Sequence, residues 1–186
     1  MKRSLDLLLA CAGLVVFFVP MLVIAALILC IDGGPILYTS KRIGRDNVPF
    51  LMPKFRTMRQ GTPPVATHLL ADPKVHTTSL GHILRRTSLD ELPQLWSVLR
   101  GDMSVVGPRP ALFNQYDLIE ARTRIGVHRL VPGLTGLAQV AGRDELSIAD
   151  KVAKDLAYLN GKGLVLDLRI LWLTIIKVVR REGVAH

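Results

Sequence analysis

Leu7–Ile31 reads LLLACAGLVVFFVPMLVIAALILCI, an uncharged apolar run of about 25 residues, long enough as a helix to cross a hydrocarbon core roughly 30 Å thick. Lys2 and Arg3 precede it, as they would in a secretory signal. Such signals, however, carry apolar cores of only about 7 to 15 residues, and Leu29-Cys30-Ile31 lacks the small-x-small pattern of a cleavage site. The run is therefore read as a membrane segment. Beyond it come Lys41, Arg42, Arg45, Lys54, Arg56 and Arg59, so basic residues flank both ends and the positive-inside rule draws both to one side. Pro20, near the middle, lacks an N–H and clashes with the preceding turn. Together these features predict a re-entrant helix-break-helix bent at Pro20, which dips into one leaflet and returns. A kinked full span is the competing reading, since membrane helices tolerate proline. Residues 1–34 are thus expected to form the anchor and residues 35–186 a cytoplasmic domain.

Working outward, 186 residues allow about one compact domain beside this anchor. A hydrophobic fraction of 49%, a mean hydropathy of +0.34 and a formal net charge of +9 exclude an ordinary soluble enzyme and a disordered chain alike. Cys11 and Cys30 both fall inside the apolar run, about 28 Å apart along a straight helix and out of disulfide reach. With no CxxC or HExxH and five scattered histidines, a zinc site is not expected. Nucleic-acid binding is not expected either, because the Lys and Arg residues are dispersed and aromatic residues make up only 5%, too few for a stacking platform.

After the break at Asp32-Gly33-Gly34-Pro35, apolar runs at residues 36–38 and 48–51 bracket Gly44-Arg45-Asp46-Asn47, which predicts a β-hairpin. Residues Gln60 to Lys74, rich in Pro, Thr and Ala, read as a loop. Leu92, Leu95, Trp96 and Leu99 recur at helical spacing on what is read as a buried face, ended by Gly101. Ser147 to Asn160 predicts a capped helix ended by Gly161, with Asp150/Lys154 and Lys151/Asp155 as i,i+4 pairs. From Asp167 onward Leu168, Leu171, Trp172, Ile175 and Val179 share a face, while Arg169, Lys177, Arg180 and Arg181 supply charge. That pattern suits either a helix lying in the lipid interface or one facing a core. The fold expected is mixed α/β and mainly helical, with a re-entrant membrane helix, a small hairpin and amphipathic interfacial helices.

Chemistry concentrates in Arg85-Arg86-Thr87-Ser88-Leu89-Asp90-Glu91-Leu92-Pro93-Gln94. Either Ser88 and Glu91 form a capping box or Asp90 is itself the cap, and both readings put two carboxylates at a helix N-terminus. Acids standing where a phosphate would otherwise bind are reconciled with one by Mg²⁺, which takes one or two carboxylates plus substrate phosphate oxygens. Downstream, Arg109 lies between Pro108 and Pro110, a stiff support for a guanidinium that binds phosphate through two bonds.

Four segments carry a resemblance: Lys54-Phe55-Arg56-Thr57-Met58; Ser88 to Gln94; Gly101-Asp102-Met103-Ser104 with Gly107-Pro108-Arg109-Pro110; and Pro132-Gly133-Leu134-Thr135-Gly136 with Gln139-Val140. In this order they resemble the bacterial sugar transferase family, the monotopic phosphoglycosyl transferases, over nearly the whole chain. The resemblance implies transfer of a phospho-sugar from a UDP-sugar to polyprenol (undecaprenyl) phosphate at the cytoplasmic face of a bacterial inner membrane, in the opening membrane step of glycoconjugate or exopolysaccharide synthesis. It implies that Asp90 forms a covalent phosphosugar adduct, that Glu91 assists in proton transfer or metal binding, and that Mg²⁺ is required, held at Asp90 and Glu91. Arg109, Arg85, Lys54 and Arg56 correspond to groups that bind substrate phosphate, and the implied membrane helix is re-entrant. Two departures stand out: Val19 precedes Pro20 where the family commonly has Ser, and Leu137 and Ala141 replace the family's frequent Trp and Asn.

Other classes fit less well. A glycosidase needs its two carboxylates about 5 to 10 Å apart across a sugar, awkward for adjacent residues. A membrane-tethered basic protein that binds nucleic acid or anionic lipid without catalysis would need neither acid. Membrane lipids are expected partners, a homo-oligomer is one open outcome, and the identity of the sugar is not written in these residues.

Overall fold

The structure is a computed structural model in which residues 2–63, 72–142 and 146–180 are described; most of the loop read at Gln60 to Lys74 lies outside them. The apolar run forms α1, Lys2–Leu27, which passes through Pro20 and continues into a π-helical turn, Ile28–Asp32. No non-helical residues separate two helices here: the chain stays helical through Pro20, where loss of one i→i−4 bond is tolerable in an apolar helix.

Both ends of α1 are tied to the same folded body. Lys2 Nζ donates to Asp167 Oδ2 at 2.7 Å, and Arg3 donates to the Val98 and Leu99 carbonyls at 2.6 and 2.7 Å. Asp6 is buried, its carboxylate accepting the Val105 N–H at 3.0 Å and the Ser104 hydroxyl at 2.9 Å. At the far end Arg56 donates to the carbonyls of Asp32, Gly33 and Gly34. Between these ties every residue from Val15 to Pro20 is exposed, more than a full turn, so no face of the helix packs on the body there.

The hairpin forms as expected from β1, Leu37–Ile43, and β2, Pro49–Phe55, antiparallel with Tyr38 opposite Lys54. Asp46 and Asn47 turn the chain at φ 54° and 60°, a region that short polar side chains tolerate. Pro49 and Pro53 fit because a two-stranded ribbon consists only of edge strands. After α2, Pro73–His76, the helix α3, Ser79–Thr87, is capped by Thr78, whose hydroxyl accepts the Gly81 N–H. A 3₁₀ turn at Leu89–Glu91 leads into α4, Gln94–Arg100, which Gly101 ends at φ 94°. Trp96 is not on the buried face of α4; it is 57% exposed, and Leu95, Ser97 and Val98 are buried instead. Gly13 allows α1 to pack closely here, since a Cβ on it would lie 3.1 Å from Leu95 Cδ1.

A second, parallel pair joins β3, Ser104–Val106, to β4, Gly133–Thr135. A Cβ on Gly133 would stand 2.1 Å from the Gly107 nitrogen, so the Pro132-Gly133 motif is what lets these backbones meet. The chain finishes with α5, Tyr116–Arg124; α6, Leu137–Ala141; α7, Ile148–Gly161, capped by Ser147; and α8, Leu164–Arg180. Ala10, Met52, Val98, Met103, Val106, Tyr158 and Ile170 form the main core, and Ile24, Ile28, Phe55 and Leu84 a second cluster under the end of α1.

The i,i+4 pairs expected on α7 do not form. Asp155, 1% exposed, takes Arg122 of α5 at 2.6 Å, and Asp150 bonds Ser147, because a buried carboxylate is better compensated by a guanidinium fork than by a solvated lysine. On α8, Ile170 is fully buried and Leu171 packs against the core, while Leu168, Trp172, Ile175 and Val179 are at least half exposed. This settles the face of α8 left open by its pattern: the apolar stripe points away from the body.

Candidate active site

Asp90 and Glu91 sit in the 3₁₀ turn between α3 and α4, entered through Ser88 in the left-handed region at φ 57°. Neither expected cap is made: no side-chain cap bond closes this turn or α4. The left-handed residue turns the chain out of α3 before a capping box can close, which leaves both carboxylates available for other partners.

Those partners come from three elements. Lys54 of β2 donates to Glu91 Oε1 at 2.7 Å and lies 3.8 Å from Asp90 Oδ2. Arg109, in the turn after β3, donates to the same Glu91 oxygen at 2.8 Å. Arg85, in the last turn of α3, acts on Asp90 through its charge. Five of the residues read from sequence as a site, Lys54, Arg85, Arg109 and the acid pair Asp90 and Glu91, are thus brought together. Arg56 stands beside them, in the wall of the cleft that Asp90, Lys54 and Arg85 line. Its guanidinium bonds the three carbonyls at the end of the membrane helix, and it is buried, so it clasps the anchor to the edge of the cleft.

The two acids are held differently. Burial pushes the Asp90 carboxyl above the usual carboxylate range, with Lys54 opposing and the charge of Glu91 adding to the rise. Burial also acts on Glu91, but Arg109 and Lys54, by charge and by hydrogen bond, hold it well below that range. One acid is therefore locked ionised by two cations, and its neighbour is a more basic carboxylate.

A cleft of about 380 Å³ opens beside Asp90, walled also by Lys54, Arg85, Tyr38, Ser40 and Arg42, and by Arg59 beyond β2. Glu91 is not in its wall. From sequence Arg42 and Arg59 are read only as basic flank of the membrane segment, not as site residues. The signal for Arg42 was the two-residue alternation of β1, which puts Tyr38, Ser40 and Arg42 on the face that Lys54 shares across the hairpin. Arg42 also donates to the Pro110 carbonyl at 3.3 Å, linking the hairpin to the Arg109 turn.

A divalent cation suits this donor set. Asp90 and Glu91 offer adjacent hard oxygens, and among the described residues no cluster of three His, Cys, Asp or Glu could cage an ion unaided. An ion here would draw its remaining ligands from substrate and water, as Mg²⁺ does.

A family model described as bacterial sugar transferase matches residues 1–181. Exopolysaccharide production protein ExoY of Rhizobium meliloti (strain 1021) is 40% identical over 199 residues, covering 98% of this chain and 87% of that protein. The UDP-glucose:undecaprenyl-phosphate glucose-1-phosphate transferase of Caulobacter vibrioides is 41% identical over 184 residues, covering 94% of this chain and 68% of that protein. The uncharacterized sugar transferase EpsL of Bacillus subtilis (strain 168) is 39% identical over 189 residues, covering 99% and 90%.

Proposed function

The chain belongs to the bacterial sugar transferase family, and from that premise we propose that it moves a sugar 1-phosphate from a UDP-sugar to polyprenol (undecaprenyl) phosphate, releasing UMP and leaving a polyprenyl-diphosphate-sugar. It is a transferase and a membrane protein, and the reaction is the first membrane step of glycoconjugate or exopolysaccharide synthesis. The observation that carries the reading is the division of labour in the acid pair, with a basic carboxylate in the cleft wall and a cation-locked one beside it.

An Asp90 oxygen attacks the phosphorus that bears the sugar. The new O–P bond forms as the bond to the bridging oxygen breaks, and that electron pair leaves with UMP. An oxygen of the lipid phosphate then attacks the same phosphorus, and cleavage of the aspartyl–phosphate bond restores the carboxylate. Neither displacement needs a proton moved at Asp90. Glu91, held ionised, is accordingly no proton donor; by accepting Lys54 and Arg109 on one oxygen it keeps both cations in position before substrate arrives, the preorganisation that phosphoryl transfer depends on. Asp90 and Glu91 would hold Mg²⁺, which when bound would neutralise further phosphate charge. Lys54, Arg85 and Arg109 bind the phosphates, and Arg42 and Arg59 extend the basic wall toward the nucleotide.

The second displacement requires the site to lie at a membrane surface. Ties from both ends of α1 to one body support a re-entrant segment, and the basic residues on both flanks support a catalytic domain on the cytoplasmic face of a bacterial inner membrane. A cysteine at residue 2 should resist an impermeant reagent in intact cells, and labelling from outside would defeat this orientation. For the chemistry, UMP release from UDP-sugars with lipid acceptor should disappear in Asp90→Asn, together with the phosphosugar adduct seen by mass spectrometry. An adduct on another residue would overturn the assignment of Asp90.

A further inference from the structure

A second cavity, of about 870 Å³, opens between the start of α1, the start of α8 and the segment Arg129–Val131, and shares no wall residue with the catalytic cleft. Leu5, Leu130, Val131, Leu164 and the Tyr158 ring make most of its wall apolar. Lys2, Arg45, Arg129 and Lys162 line it as well; Lys2 is held by Asp167 at 2.7 Å and Arg45 by the neighbouring Asp46 at 3.3 Å, so Arg129 and Lys162 carry the surplus positive charge of the wall.

We infer that this cavity seats one glycerophospholipid by an anionic headgroup. The surplus of cations calls for an anion, and the apolar wall calls for that anion to carry hydrocarbon. A sugar nucleotide would gain nothing from the leucines and valines here, and this cavity has no acid pair comparable to Asp90 and Glu91. Position favours the same occupant. One wall is the first turns of the membrane helix, and another is the start of α8, from which the exposed apolar stripe Val165, Leu168 and Trp172 continues. Cations at that level meet the headgroups, where each basic group adds attraction for acidic lipid, and the stripe continues the path for the acyl chains. The volume lies within the range that holds a ligand of drug size, enough for a headgroup with its glycerol. The occupied site would fasten α1 and α8 to one another through a lipid and fix the height of the body on the membrane.

The full chain purified in detergent is titrated with phosphatidylglycerol, and in parallel with phosphatidylcholine, polyprenol phosphate and inorganic phosphate, and bound species are counted by native mass spectrometry. One phosphatidylglycerol per chain is expected, with no matching uptake of phosphatidylcholine and no competition from inorganic phosphate. Arg129→Gln with Lys162→Gln, exposed side chains remote from the cleft, should weaken binding roughly 30-fold, about one factor of five per charge removed, while UMP release in detergent stays unchanged. Equal binding by the double variant, or competition by inorganic phosphate alone, would overturn the inference. One-for-one displacement by polyprenol phosphate would give the cavity to the acceptor instead. Because lipid uptake is read directly, its failure leaves the transferase reading standing.

Discussion

Asp90 and Glu91 are chemically near-identical neighbours whose roles are set by what faces them. Glu91 meets Lys54 and Arg109 at hydrogen-bond distance, whereas Asp90 meets Lys54 only at 3.8 Å. Burial raises the Asp90 carboxyl, and Lys54 is the strongest influence against that rise. This gives a prediction with a definite sign. The proposed attack requires the ionised carboxylate, so kcat/KM should fall as pH drops through the Asp90 pKa of the free enzyme, which lies above the ordinary aspartate range. Lys54→Met removes the opposing charge and should move the acid limb to still higher pH, and it should lower kcat/KM at the plateau by roughly 100-fold, as loss of one preorganised donor does. Lys54→Arg should return the limb toward its original position. A pH profile of UMP release checks this, and an unmoved limb in the methionine variant would show that another group controls the acid side.

Among the elements, the turn after β3 has the most demanding task, since it must hold Arg109 against Glu91 although three residues of strand support it. Gly107 and Gly133 bring its backbone against β4, and α5 reaches it from the other side, where Arg122 Nη1 donates to the Arg109 carbonyl at 2.8 Å. Arg122 is in turn fixed by Asp155 of α7 through bonds of 2.9 and 2.6 Å. The pair thus positions Arg109 as well as joining two helices. Arg122→Met leaves Asp155 buried without its guanidinium and should cost about 3 to 5 kcal/mol of stability. Arg122→Met with Asp155→Leu should recover most of that loss by replacing a buried pair with apolar packing. Turnover should not recover with it, because the Arg109 carbonyl still lacks its donor. Denaturant midpoints beside UMP-release rates separate the two effects, and full recovery of rate in the double variant would reduce the pair to a structural tie.

Over the whole molecule, what the sequence made legible was local: the apolar anchor, the hairpin around Gly44 to Asn47, the α4 stop at Gly101, the Ser147 cap, and the adjacent acids. What it hid depends on contacts between distant segments. The β3–β4 pair joins three-residue strands, Arg56 bonds carbonyls 22 to 24 positions away, Trp96 is turned outward because α1 occupies the other side of α4, and Asp155 looks past Lys151 to Arg122. The outward stripe of α8 belongs to this scale too, because its meaning depends on where the rest of the body sits. With both ends of α1 tied to that body, α8 lies on the same membrane face as the cleft. The proposed reaction in two displacements would separate access to a water-borne donor from access to a lipid-borne acceptor. Leu168→Glu with Trp172→Glu puts two charges on a face built for lipid and tilts the cleft away from the membrane, while α1 still anchors the chain. Adduct formation at Asp90 from the UDP-sugar should proceed at its original rate, whereas transfer from the preformed adduct to polyprenol phosphate in vesicles should slow by roughly tenfold or more, given the interfacial affinity lost. Quench-flow mass spectrometry of the two half-reactions measures each separately. Equal slowing of both would mean that the substitutions damaged the fold, and no slowing of either would mean that α8 does not seat the enzyme on its lipid substrate.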